Sequence, residues 1–302
     1  MAFGFDVAAL PAYTDQLSLD LISKVVLKTD LLDFVDLRSG FSSGSVAINL
    51  VDADLPVSAL SCGWTSDGQV TYSQVNVTID SLQSKTEMCV EDLRAKYTSA
   101  FMNPGTGNDF IPFEEVISES YADKLRKYNE GYLINGAGAA GTGTGIKAQV
   151  TSANGANLQG GVPAAWTAAN AVEQALDLYD AIDESVKDRD DLIMVVSPAA
   201  YRALVRGLVA SNLFHFDSVQ SNDILILPGT NITVVMSSGL VGSDYKMAGP
   251  GKMIIAATGL TDELDTFRFF YDEAADVMRF RAAWRLGIGI GEVNLFATND
   301  MA

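Results

Sequence analysis

The sequence predicts an α+β fold: a long β-hairpin, a long helix, and a second block in which short strands and helices alternate. Three observations carry that reading. Between residues 41 and 84, Val, Ile, Thr and aromatic residues cluster, and part of the stretch alternates with strand period. From Phe113 to Tyr132 apolar residues recur at helical spacing, with acids early and bases late. Beyond Ile146 buried-looking strands follow helices, and the last segment is almost entirely strand-like.

Taken in order, residues 1–40 hold a helical stretch, "DLISKVVLKTDLLDFVDL". Three strand-like runs follow: "SVAINLV", "PVSALSCGWT" and "QVTYSQVNVTID". In the last, Val75, Val77 and Ile79 alternate with Asn76, Thr78 and Asp80. An Asp-Gly pair between strands is a strong turn signal, because Gly tolerates positive φ. The spacing therefore predicts a hairpin of Val57–Thr65 against Gln69–Asp80, turning at Asp67-Gly68. A two-stranded ribbon is marginal alone in water, so it needs another surface to lean on.

Two helices are expected next, "TEMCVEDLRAKYTSAF" and "FEEVISESYADKLRKYNEGYLI". The second carries Phe113, Val116, Ile117, Tyr121, Leu125, Tyr128 and Tyr132 on one stripe, and Lys124, Arg126 and Lys127 late in the helix. A glycine run, Gly136 to Gly145, closes it. After a strand-like "IKAQV", a helix is expected to present Val172, Leu176, Tyr179, Ile182 and Val186 together. "LIMVV" (Leu192–Val196) reads as a buried strand. Ser197 then caps a helix with Pro198 in its first turn. "ILILPGTNITVVM" reads as strand, Pro228-Gly229 turn, strand; "KMIIAAT" is another strand. Two strands flank Asp272–Asp276. In the second, Trp284, Leu286, Ile288 and Ile290 alternate with Arg285, Gly287, Gly289 and Gly291, a glycine face that lets another backbone approach closely.

Composition narrows the function. Of 302 residues, 48% are hydrophobic and 19% charged, a globular balance, and no apolar run is long enough for a membrane span. The first residues carry three aspartates and no basic leader, so a secretory signal is not expected. Cys62 and Cys89 are in no metal or redox spacing and read as reduced packing residues. The net charge of −18 argues against a phosphate-gripping surface, and "KLRK" (Lys124–Lys127) is the longest basic cluster.

No catalytic constellation emerges. The letters G-A-G-A-A-G at Gly136, Gly138 and Gly141 match a dinucleotide fingerprint. That motif needs a strand before it, a helix after it and an acidic residue about twenty positions on; here a helix precedes and "ANLQGGVPAAW" follows. In "GIK" Ile146 splits the Gly-Lys pair of a Walker loop. The expected role is a helix C-cap at Gly136 and a flexible connector. His215 is the sole histidine, so no triad or zinc site can form around it. The carboxylates of Asp183–Asp191 and Thr261–Asp265 read as solvated turns. The sequons Asn76-Val-Thr78 and Asn231-Ile-Thr233 mean little without secretion. No cofactor, metal ligand or catalytic residue is expected.

The order of elements resembles the major capsid proteins of tailed bacteriophages, the Hong-Kong-ninety-seven-type fold also found in encapsulins. The end of the long helix, "LINGAGAAGTGTGI" (Leu133–Ile146), is similar to the family's apolar-Asn-Gly-x-Gly junction. "LIMVVSPAAYRAL" and "FRAAWRLGIGIGEVNLFAT" resemble its axial and closing segments. The resemblance implies an N-terminal arm at 1–40 and an extended hairpin, the E-loop, at 41–84. It implies a peripheral domain with spine helix at 85–145, an axial domain at 146–250, and return strands of the peripheral domain at 251–302. The expected activity is structural: self-association into pentamers and hexamers of an icosahedral shell around double-stranded DNA. Scaffolding and portal proteins are the implied partners, DNA a non-specific neighbour, and no membrane is involved. The implied place is the virion capsid, with assembly in the host cytoplasm. Trp64, Asp67, Gly68, Val75 and Val77 become candidate subunit-interface residues, and Gly136, Gly138 and Gly141 a candidate hinge. Some members crosslink an E-loop lysine to a neighbour's asparagine; here no lysine lies between Ser45 and Asp80, and Lys85 sits at the base. Two alternatives stay open: an encapsulin-like compartment shell, and a nucleotide-binding α/β enzyme using Gly136–Gly145.

Overall fold

The computed structural model describes residues 31–41, 44–54, 57, 62–63, 68–89, 113–138, 143–211, 225–259, 268–272, 274–275 and 277–301. Two mixed sheets organise the chain. The first has the order β1-β9-β11-β3-β2, with β10 also on β11; the second has the order β4-β12-β8-β5-β7-β6. In the first sheet β1 is Asp36–Arg38, β2 Gly44–Ala53, β3 Val70–Cys89, β9 Ile254–Thr258, β10 Arg268–Asp272 and β11 Val277–Ile290. In the second, β4 is Asn157–Leu158, β5 Leu192–Val196, β6 Leu225–Ile226, β7 Thr233–Met236, β8 Met247–Pro250 and β12 Ala297–Thr298. Helix α1 runs Phe113–Asn135, α2 Ile146–Gln149, α3 Ala171–Asp180 and α4 Pro198–Ala210.

Strand β3 is the long member, 20 residues and thus about 66 Å at ~3.3 Å per residue. Its second half pairs with β11, from Ile79↔Gly287 to Cys89↔Val277. Its first half pairs with β2, from Ala53↔Val70 to Gly44↔Ile79. Only at Ile79 do both partners meet, so the outer half is a two-stranded ribbon.

Its pairing differs from expectation. The partner of the 69–80 run is Gly44–Ala53, not 57–65, and the last bond runs from Asp54 N to Gln69 O at 3.0 Å. The residues between the two paired strands are 55–68, and the expected turn at Asp67-Gly68 lies largely outside the described residues. The physical reason for the pairing is burial: Val46 and Ile48 alternate to one face and meet Val75, Val77 and Ile79 there.

Other local expectations yield to pairing. Thr86–Cys89 was expected to open a helix but extends β3, because β11 offers it a ladder; residues 90–101 of that helix lie outside the described residues. Asp36 and Leu37, the end of the expected N-terminal helical stretch, belong instead to β1, parallel to β9. "IKAQV" is a helical turn, not a strand. On α3 the buried stripe is Ala171, Ala175 and Leu178, while Leu176 is exposed. The segment 251–302 divides: β9 and β11 belong to the first sheet, β12 to the second.

Several elements form as their local chemistry predicts. β5 is buried throughout. Ser197 caps α4, its Oγ accepting from Ala200 N at 3.3 Å, with Pro198 in the first turn. Replacing Ser197 with Ala removes that acceptor; thermal or urea unfolding is expected to report a loss of about 1 kcal/mol. β6 and β7 pair around the Pro228-Gly229 turn, where Gly229 has φ 82°. β10 and β11 form the expected C-terminal hairpin. The glycine face of β11 is a close-approach surface: a Cβ on Gly287 would lie 2.5 Å from Thr78 O, and one on Gly289 2.5 Å from Val77 Cγ2.

Helix α1 joins the two sheets. Along its length Tyr121 stacks on Phe280 (4.5 Å), Tyr128 meets Trp284 edge-on, and Trp284 Nε1 donates to Asn129 Oδ1 at 3.0 Å. At its end Glu130 Oε2 accepts from Ser238 N (3.0 Å) and Oγ, and Asn135 Nδ2 donates to Gly239 O. Those last partners sit in the second sheet's Ser238–Leu240 turn. The helix is thus a strut, tied to the first sheet at Tyr121, Tyr128 and Asn129 and to the second sheet's turn at Glu130 and Asn135.

Candidate functional site

The candidate site is the ribbon, whose two faces have opposite fates. One face, Val46, Ile48, Val75, Val77 and Ile79, packs on Ile255 and Ala257 of β9 and on the glycines of β11. Val77 is fully buried there and Val75 partly buried. Both were expected to be subunit-interface residues; Val77 is instead core of its own chain, because Gly289 gives its side chain room. Gly68 is exposed in the connection, and Trp64 and Asp67 lie outside the described residues.

The opposite face is polar near the base, with Asn49, Asn76 and Thr78 exposed, and apolar at the far end. Val51 and Tyr72 stand opposite each other in register, 61% and 74% exposed, and Val70 is 48% exposed on the same face. In the connection Val57 is 90% exposed. Isolated exposed apolar residues are ordinary, but a paired group at the tip of an edge ribbon is what a docking strand carries. Sequence reading missed Val51 and Tyr72. The alternation in "SVAINLV" could have placed Val51 on the face opposite Ile48, had the pairing partner been known.

The glycine run is the second candidate feature. Gly136 follows the last residue of α1 and closes its final turn, its N–H donating to Tyr132 O at 3.2 Å, and the first left-handed residue is Gly138, φ 79°. The Ala137↔Thr144 bridge and the Gly145 N to Gly136 O bond (2.9 Å) close the run on itself. Gly143 N donates to Asp80 Oδ2 at 3.0 Å, and Tyr132 Oη lies 3.0 Å from both Asp80 Oδ2 and Leu286 O. Burial, then the Asp80 carboxylate, push the Tyr132 phenol above its usual range. Around Gly136–Gly138 and Gly143–Gly145 the expected loose connector is therefore a tied one. Gly141 lies outside the described residues. The N–H groups of Gly138, Gly143 and Gly145 are spent on protein acceptors, and a carboxylate sits beneath them, which is the wrong chemistry for a phosphate cradle.

The remaining polar clusters are structural. Asp183 caps a short 3-10 turn through Ser185 N, and Arg189 grips Asp191 with two bonds at 2.8 and 2.9 Å. That guanidinium holds Asp191 below the usual carboxylate range. Asn231 of the second sequon donates to Lys187 O and Arg189 O. His215 and Thr261–Asp265 lie outside the described residues. Among the described residues no group of three or more His, Cys, Asp or Glu could hold a metal, and no helix is long and apolar enough to cross a membrane. Cys62 and Cys89 are free and exposed rather than packed.

One titratable group stands out. Lys246 is fully buried, donates to Asp244 O at 2.7 Å and lies over the Trp166 ring. Burial pulls its amine down to about 8. Between pH 8 and 10 the unfolded chain still holds this proton and the folded chain has released it. Stability is therefore expected to rise with pH across that window, by about 2 kcal/mol. Above pH ~10 the slope reverses, since Tyr132 and Tyr245 keep protons in the fold that they lose when unfolded. Urea unfolding at several pH values checks this, and a Lys246→Met chain should lose the rise.

No protein-family model and no curated protein matches the sequence. Solved structures do match in shape. A chain of the satellite phage P4 procapsid is 11% identical with TM-score 0.58, over 92% of this chain and 89% of that one. A chain of the native GTA particle capsid is 14% identical with TM-score 0.56, over 89% of both. The virus-like particle of Pyrococcus furiosus is 13% identical with TM-score 0.53, over 95% of this chain and 98% of that one. This chain has the tailed-phage major capsid fold. At 11–14% identity the matches show a shared fold over nearly the whole chain and nothing finer. The two-sheet α+β architecture, the ribbon and the strut helix are the frame of that capsid fold in this chain.

Proposed function

We propose that this chain is a major capsid subunit, which self-assembles into pentamers and hexamers of an icosahedral shell enclosing the double-stranded DNA of a tailed phage. The observation that carries the reading is the apolar ribbon tip, Val51, Val70 and Tyr72, presented by a capsid fold on a chain of net charge −18. Copies so charged repel one another, but salt screens charges beyond about 8 Å. Contact between apolar surfaces, at about 25 cal/mol per Å², then decides association. The ribbon takes the place of the E-loop and α1 that of the spine helix; the tied glycine run joins the peripheral and axial domains. The role is structural rather than enzymatic, and a non-sticking acidic wall suits enclosed DNA. Scaffolding and portal proteins are the further partners, and the shell forms in the host cytoplasm.

The test is negative-stain microscopy with size-exclusion chromatography of the purified chain, alone and with a scaffold protein. Closed shells or rings of five or six are expected. A compact dimer that nucleotide stabilises overturns the reading in favour of an enzyme. A compartment shell is the second reading that the same particles would separate, and the phage-capsid matches do not favour it. Nuclease-resistant DNA inside native particles supports the capsid; protein cargo without DNA supports the compartment.

A further inference from the structure

We propose that Gln159, Trp166 and Lys246 enclose a site for one buried water molecule, which ties the loop after β4 to the start of β8 in the second sheet. Strand register brings the first and third of these together. Leu158 pairs with Thr298 and Thr298 with Met247, so the adjoining residues Gln159, Asn299 and Lys246 lie side by side across three strands. Gln159 N donates to Thr298 O (2.8 Å) and Asn299 N to Lys246 O (3.2 Å), which holds that row. Residues in register share a face of the sheet. Trp166 covers the row, its ring centroid 5.2 Å from Lys246 Nζ.

Helix α3 supplies the remaining wall. Gln174 Oε1 accepts from Gln159 Nε2 (2.8 Å) and Ala164 N (3.3 Å), and Gln174 Nε2 donates to Val162 O (3.4 Å). The loop that carries Trp166 is thereby fastened over Gln159. All three residues are sealed from solvent, at 3%, 8% and 0% exposure for Gln159, Trp166 and Lys246. Yet Gln159 Oε1 and Trp166 Nε1 have no hydrogen-bond partner among the described residues. Stranded buried polar atoms are rare in folded proteins, because desolvating them without a partner is costly.

The donor and acceptor set selects the ligand. Trp166 Nε1 and Lys246 Nζ both offer N–H groups, while Gln159 Oε1 offers a lone pair. An anion meets two donors but is repelled by the amide oxygen. Water accepts from the two nitrogens and donates to the oxygen, the three bonds typical of a buried water. The assignment is independent of whether the chain forms shells.

A high-resolution experimental map of the full chain tests it. One ordered water within hydrogen-bond distance of both Trp166 Nε1 and Gln159 Oε1 is expected. Direct contact between those two atoms, or separate protein partners for each, overturns the site. Thermal unfolding of Gln159→Leu, Trp166→Phe and the double variant gives an independent readout. Each single change should lower the Tm by several degrees, and the double should fall by clearly less than the sum of the two, since the bridge is lost only once while the Gln159–Gln174 bond and the indole ring are lost separately. Additive losses overturn a shared ligand.

Discussion

Replacing Val51 and Tyr72 together with aspartate is expected to leave the subunit folded and to abolish shell formation. The two side chains face each other across the ribbon, are largely exposed, and contribute nothing to the chain's own core. Burying a Val or Tyr at a neighbour is worth about 1.5–3 kcal/mol each, and aspartate would both forfeit that and bring an unpaired charge into the contact. Circular dichroism melts of the variant should fall only slightly, by the local cost of two facing carboxylates at the ribbon tip, while microscopy should show only free subunits or capsomers. Normal assembly would remove the ribbon tip from the interface. A Val77→Asp change supplies the contrast. It lies on the ribbon's other face, is fully buried against Ile48, Ile255 and Ala257, and should unfold the subunit instead.

The second large effect is expected at Gly145. A Cβ there would lie 2.4 Å from both Gly136 N and Ile134 O, which are backbone atoms at the end of a packed helix. Neither can move without breaking the turn that joins the two sheets. Gly145→Ala should cost about 3 kcal/mol or more, read as insoluble expression or a large fall in urea midpoint. Gly131, inside α1, is the internal control: a Cβ meets nothing within 4 Å, and helix propensity makes Gly131→Ala stabilising by up to about 1 kcal/mol. Equal behaviour of the two variants would show that the close backbone approach at Gly145 is not what that turn requires.

Which features could be read in advance follows from the range of the interactions that make them. The Ser197 cap, the Pro228-Gly229 turn and the β5 strand rest on neighbours within a few residues, and each forms as its residues imply. The alternation from Trp284 to Gly291 likewise announced a close-approach face, and Gly287 and Gly289 supply it. The ribbon was legible as a hairpin but not in its pairing. "PVSALSCGWT" and "SVAINLV" have similar strand character, and the choice between them lies with β9 and β11, which offer apolar ground to Ile48 and Val46. Val77 illustrates the consequence for the site. Its strand period is plain in the chain, but whether its face meets a neighbour or its own sheet depends on Gly289, over 200 positions away.

Local chemistry by itself determined the class of fold, the long charged-and-apolar helix and the capped α/β block. Those properties depend on side-chain period, turn residues and donors read over short spans. Tertiary structure alone decided that Thr86–Cys89 is strand, that the glycine run is tied by Asp80 and Tyr132, and that the exposed apolar face of the ribbon is Val51, Val70 and Tyr72. Each of these turns on which distant strand or side chain arrives to satisfy a backbone ladder, a stranded N–H or an apolar face, and a single chain segment cannot specify its own partner.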